Sequence, residues 1–211
     1  MNPKPLDHFF SEIPYNLFDF AQTVMEDAKR LKVEVKAYKY GDLSSEGSLV
    51  NGYFDDEERV LAFSVKEDND DWLHTFVHEY GHMLQWANRR KFWDKVLKHH
   101  PDLWRWVGGK PLSNKKLDRA LRSNITIEWD NEKQTVGLIN KFVLPIDVEL
   151  YTQKAIAYVL FYHVVRKNRK FYTAGREPYN LPEVYSHMPK TFDIDPYNPP
   201  KELMDILFLA Y

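Results

Sequence analysis

The 211-residue chain has no cysteine. That excludes disulfides and thiolate-held metals, and it fits a reducing compartment. Also missing is any run of about 18 uninterrupted apolar residues, the length that a membrane-spanning helix needs. The opening residues MNPKPLDHFF hold no long apolar stretch, so no signal peptide is expected there. Charge of neither sign dominates: 29 basic and 31 acidic residues leave a formal net charge of −2. Bulk attraction to nucleic acid or to an anionic membrane is therefore not expected, and the basic cluster Arg166, Lys167, Arg169 and Lys170 reads as a solvated helix end. There is no internal repeat and no low-complexity linker. The expected location is the cytoplasm, with neither a nucleic-acid nor a membrane partner.

What is present suits one substantial core. With 44% hydrophobic and 15% aromatic residues, the chain is expected to form a single domain over 1–211. Phe20, Val24, Ala28 and Leu31 recur at helical spacing, which predicts a first helix over 19–31. Val33, Val35 and Ala37 alternate with Glu34 and Lys36 and predict a strand over 33–40. Residues 48–54 and 59–65 are two further strand-like runs, with 55–58 as a hairpin turn between them. A helix is expected over 71–88, heading a stretch with Trp86, Trp93, Trp104 and Trp106, whose rings read as packing residues. After a break at Gly108, Gly109, Lys110 and Pro111, one helix is expected from about Leu117 or Thr126 to Phe142. Another runs from Asp147, its N-cap, to about Lys167. From about residue 172 prolines make the chain irregular until a short amphipathic stretch at 201–209. The pattern is α+β: a small antiparallel sheet packed on a helix, then a helical C-terminal half.

The chemistry concentrates in His78, Glu79, Tyr80, Gly81 and His82, which spell HEYGH. Helix positions four apart lie about 40° apart around the axis, so His78 and His82 project side by side and can hold one Zn²⁺. Glu79 is placed to remove a proton from a water as that water attacks a carbonyl carbon. Leu73, Phe76, Val77, Tyr80, Met83, Leu84 and Ala87 form an apolar arc roughly opposite His78, so the histidines face solvent or a cleft. Asn69, Asp70 and Asp71 offer cap-type side chains before the helix. Gly81 removes a side chain beside the histidines, at a cost of about 1 kcal/mol in helix propensity.

A catalytic zinc takes three protein ligands and leaves one position open. Glu128, in Glu128-Trp129-Asp130-Asn131-Glu132, is the leading third ligand, because Glu132 shares its helix face and can accept the N–H of a ligand histidine. Glu132 as ligand with Glu128 as support is the alternative. His74 extends the histidine stripe, but residues eight apart on a helix are displaced about 12 Å, so it reads as a supporting or surface residue. His163 and His187 are other possible third ligands or oxyanion partners, and Tyr151, Tyr158 and Tyr162 carry hydroxyls able to donate to an oxyanion.

The run NGYFDDEERVLAFSVKEDNDDWLHTFVHEYGHML, residues 51–84, resembles the strand, turn, edge strand and active-site helix of zinc-dependent peptidases of the ImmA/IrrE type. EWDNE, residues 128–132, resembles that group's downstream acidic helix, and residues 144–165 resemble a stretch of metallopeptidases encoded by tailed bacteriophages. The resemblance implies a zincin-like fold, a glutamate third ligand and an edge strand at Val60–Val65 able to pair with an extended peptide substrate. Asn131 and Glu132 stand where the cellular enzymes commonly show a small residue and then Asp or Asn, and no DNA-binding helix-turn-helix is recognisable. The expectation is a zinc endopeptidase acting on a peptide or protein substrate, in the host cytoplasm if phage-encoded. A zinc-binding structural or host-interaction protein without activity is the alternative.

Overall fold

The computed structural model describes residues 17–39, 43–45, 48–65, 71–173 and 175–211, which fold as α+β. The chain divides into two compact units, one of residues 1–90 with 137–146 and one of residues 91–136 with 147–211.

The first unit is built on amphipathic periodicity. Helix α1 (Phe18–Leu31) buries Phe20, Ala21, Val24 and Ala28 and ends on Lys32 in the left-handed conformation. Strand β1 (Glu34–Lys39) follows, burying Val35 and Ala37. Two short strands, β2 (Ser44–Ser45) and β3 (Ser48–Leu49), pair with each other. The expected strand over 48–54 is thus divided, β3 being followed by a separate β4 (Gly52–Asp55). Asp55 Oδ1 accepts hydrogen bonds from the amides of Glu57 and Glu58, closing the turn into β5 (Val60–Val65).

Two expectations about the sheet are corrected. It is mixed, with order β1-β5-β4: β5 runs parallel to β1 and antiparallel to β4. Strand β5 is therefore central and has no free edge for a substrate. Val60, Leu61, Ala62 and Phe63 are all buried, as expected of a strand covered on both faces.

Helix α2 (Asp71–Asn88) packs on this sheet. The caps expected at Asn69, Asp70 and Asp71 lie outside the described residues and side chains. Leu73, Phe76, Val77, Tyr80 and Met83 are buried as the apolar arc predicts. Phe76 stacks on Phe63 of β5 at 4.3 Å, and Phe20 of α1 meets Phe76 and Tyr80 edge-on at 5.3 and 5.8 Å. Tyr80 Oη donates a 2.7 Å hydrogen bond to Asp27 Oδ2. Burial opposes ionisation of Asp27 most strongly, but the bonds from Arg30 and Tyr80 outweigh it and hold the carboxyl below its ordinary range. These contacts set the rotation of α2, and so decide which face carries the histidines.

The second unit opens at Lys91 within α3 (Arg90–Leu97), which is followed by α4 (His100–Val107), two short helices in the Trp-rich stretch. Trp93 is buried, whereas Trp104 is exposed against Phe171. The 29-residue α5 (Asn114–Phe142) belongs to this unit as far as Val136 and to the first unit from Gly137. Helix α6 (Val148–Asn168) is capped by Asp147, whose side chain accepts from the Leu150 amide at 3.0 Å, and it is buried on almost every side. The Pro-rich segment forms a short 3₁₀ turn (Pro178–Asn180) and α7 (Pro182–Tyr185), followed by α8 (Lys201–Ala210). Leu181, Val184, Met188, Leu203 and Leu207 join the core around α6.

The basic cluster at the end of α6 is engaged rather than merely solvated. Arg166 pairs with Asp118, Lys167 lies 4.0 Å over the Phe208 ring, and Arg169 donates to the carbonyls of Trp106 and Lys110. No helix among the described residues is long and apolar enough to cross a membrane.

Candidate metal centre

Because the apolar arc of α2 is spent on the sheet and on α1, His78 and His82 emerge together from another face. Their ring centroids are 4.7 Å apart and the planes are nearly perpendicular, at 86°. One donor atom from each of His78, Glu79 and His82 lies within 4.8 Å of the other two, an arrangement that can hold a metal ion. Glu79 is only 8% exposed, so its carboxylate works largely out of bulk water.

Gln85, one turn further along α2, supplies a partner that reading the sequence missed. It is fully buried, and its Oε1 lies 2.9 Å from His82 Nδ1. An amide oxygen only accepts, so Nδ1 is the donor in this pair and Nε2 is the ring nitrogen left to face a metal. The available signal was the i, i+3 spacing from His82 to Gln85 on one helix.

Strand β4 lies alongside this face of α2. Gly52 approaches Thr75 and Glu79, and the Phe54 ring packs 5.6 Å from Trp86. The guanidinium groups of Arg59 and Arg90 flank Trp86 at 5.7 and 5.6 Å, which fixes the C-terminal turns of α2.

The acidic residues belong to the second unit. Glu128 and Glu132, four apart on α5, are 8% and 4% exposed, so neither solvates a surface helix. Tyr151 of α6 donates a 2.6 Å hydrogen bond to Glu132 Oε2. Burial, then the Glu132 charge, pushes the Tyr151 phenol well above its ordinary value, so it remains a donor. The hydroxyls of Tyr158 and Tyr162 lie 3.3 Å apart, and burial raises both phenols as well.

The remaining histidines separate by surroundings. His163 Nε2 donates to the carbonyl of Pro196 at 2.8 Å, a tie inside the second unit, and His187 is exposed. His74 is half-buried one turn before His78.

The chain matches no protein-family model, no curated protein and no solved structure. Two imidazoles beside a carboxylate suit a first-row divalent ion, and with no cysteine in the chain the donors on offer are nitrogen and oxygen.

Proposed function

We propose that the protein is a zincin-like, zinc-dependent endopeptidase. The observation that carries this reading is the joint approach of His78, Glu79 and His82 within 4.8 Å on a helix whose rotation is fixed from behind. The tautomer set by Gln85 supports His82 as a ligand through Nε2. Glu128 is the proposed third ligand, with Glu132 accepting the N–H of a ligand histidine, since a site of two histidines and one carboxylate retains an open position.

Bound Zn²⁺ supplies Lewis acidity, polarising a carbonyl and lowering the pKa of water. Glu79 does the proton work: its carboxylate takes a proton from the attacking water and passes it to the leaving amine. Its position directly after His78 keeps it beside the histidines, and its burial limits competition from solvent. The sheet edge proposed to pair with an extended substrate is β4 rather than β5, because β4 is the outer strand beside α2 and pairs only with β5 among the described residues.

The test combines metal content with turnover. Wild-type protein purified without a histidine tag is expected to carry about one zinc per chain, as catalytic sites of this composition do. Glu128→Ala is expected to lose it and Glu132→Ala to keep it; the reverse pattern exchanges their roles. Glu79→Gln is expected to retain zinc and produce no new N-termini in a denatured-protein mixture. Full activity in Glu79→Gln rules out this mechanism. Zinc without any cleavage by the wild type assigns the chain to inactive zinc-binding proteins.

A further inference from the structure

Gly52 occupies a position where a side chain has no room. A Cβ built on it would lie 2.5 Å from Thr75 Cγ2, 2.9 Å from the Ala62 carbonyl oxygen and 3.0 Å from Glu79 Cγ. Thr75 and Glu79 are one turn apart on α2, so the bare backbone of β4 sits between them, while Ala62 belongs to the neighbouring strand β5. The Ala62 carbonyl is backbone of a central strand and yields little. Thr75 is β-branched and has only about two χ1 rotamers open to it in a helix. The group freest to move is the unbranched stem of Glu79.

We propose that Gly52 is a positioning residue for Glu79: the side-chain-free backbone of β4 packs against the Glu79 γ-methylene and sets the direction of its carboxylate. The inference rests on reading Glu79 as the general base. It adds that the strand proposed to receive the substrate also aims the base, so peptide and proton acceptor share one reference frame. A general base displaced by about 1 Å loses on the order of 100-fold in rate.

The test is Gly52→Ala. Relative to wild type it is expected to keep its zinc, since the substitution removes no ligand. On a quenched fluorogenic peptide built from the strongest cleavage found in a denatured-protein digest, kcat is expected to fall roughly 10- to 100-fold, with KM changing less than about threefold. A second readout does not depend on turnover. In Co²⁺-loaded protein, Gly52→Ala is expected to shift the visible absorption bands in the wild-type background and to add nothing in a Glu79→Ala background, which lacks the γ-methylene that Gly52 meets.

Equal spectral shifts in both backgrounds mean that the substitution disturbs the ligands and not Glu79, and they overturn the inference. Wild-type kcat and spectrum in Gly52→Ala overturn it too, while leaving the peptidase reading intact. A wild type that binds neither Zn²⁺ nor Co²⁺ and cleaves nothing overturns both. If Gly52→Ala does not fold, Gly52→Ala with Thr75→Ser, which removes the 2.5 Å overlap, takes its place in the same comparison. A crystal structure of the zinc-loaded wild type gives an independent decision: Glu79 turned away from β4 overturns the proposal.

Discussion

Tyr151 donates a hydrogen bond of 2.6 Å to Glu132, and both side chains are buried in the second unit. A phenol facing a buried carboxylate fixes both groups: the charge gains a donor where water is scarce, and the donor cannot ionise while the charge remains. Removing the hydroxyl leaves one carboxylate oxygen without this donor. Tyr151→Phe is therefore expected to lose about 1–3 kcal/mol of stability, read as a lower urea midpoint with an unchanged m-value. If Glu132 supports a metal ligand, the same variant binds zinc about 10- to 100-fold more weakly in a chelator competition. Unchanged stability means that the bond contributes nothing net.

Gln85 is expected to matter for metal affinity more than for folding. Its oxygen orients His82 by accepting from Nδ1. Gln85→Met keeps the volume and removes the acceptor, so the ring can take the other tautomer or turn away. The expected result is about 10- to 100-fold weaker zinc binding, measured by chelator competition on protein whose unfolding midpoint falls by much less than that of a core truncation. Wild-type affinity in this variant rules out the orienting role.

Several elements were legible from residue pattern because their causes are local. The 71–88 helix follows from its apolar arc and the 148–168 helix from the Asp147 cap, and both are found within a residue of expectation. The pairing of His78, Glu79 and His82 follows from helix geometry alone. Strand order did not, since the parallel pairing of β1 with β5 brings together residues that are remote in the chain. A clue was nevertheless present: Val60, Leu61, Ala62 and Phe63 form an unbroken apolar run, the pattern of a strand covered on both faces and not of an edge. Helices α3 and α4 were not anticipated, being only eight residues each and separated by two residues. Gly52 gave no signal as a residue type, because its role depends on Thr75, Ala62 and Glu79 meeting around it.

His163 makes stability depend on pH. Burial, the largest influence, pushes its pKa below the ordinary value of 6.5, against the opposing effect of its hydrogen bond to Pro196. The unfolded chain then binds a proton at a higher pH than the folded chain does. The stabilisation is fully present above about pH 6.5 and is lost as pH falls from there through the folded pKa. His163→Gln retains an N–H donor for the Pro196 carbonyl without titrating. Its unfolding free energy is expected to fall less between pH 7.5 and pH 5.5 than that of wild type, in urea titrations at matched ionic strength; parallel curves eliminate His163 as the source.

Val143 marks a place where stability can be gained. It follows α5 with φ of 50°, a left-handed conformation that a β-branched residue rarely adopts, and its side chain is 82% exposed. The hydrogen bonds around it, Leu144 N–H to the Ile139 carbonyl at 3.0 Å and Val143 N–H to the Asn140 carbonyl at 3.3 Å, are those of a Schellman helix end, whose left-handed position is usually glycine. The left-handed conformation costs a β-carbon residue about 1–2 kcal/mol. Glycine removes that cost but adds unfolded-state entropy worth about 0.5–1 kcal/mol. Val143→Gly is thus expected to stabilise the protein by roughly 0.5–1 kcal/mol, raising the melting temperature by about 1–4 °C for a chain of this size. An exposed valine gives up little burial on removal, so the backbone term decides the sign. A lower melting temperature in Val143→Gly means that the two helix-end hydrogen bonds do not hold the left-handed turn in solution.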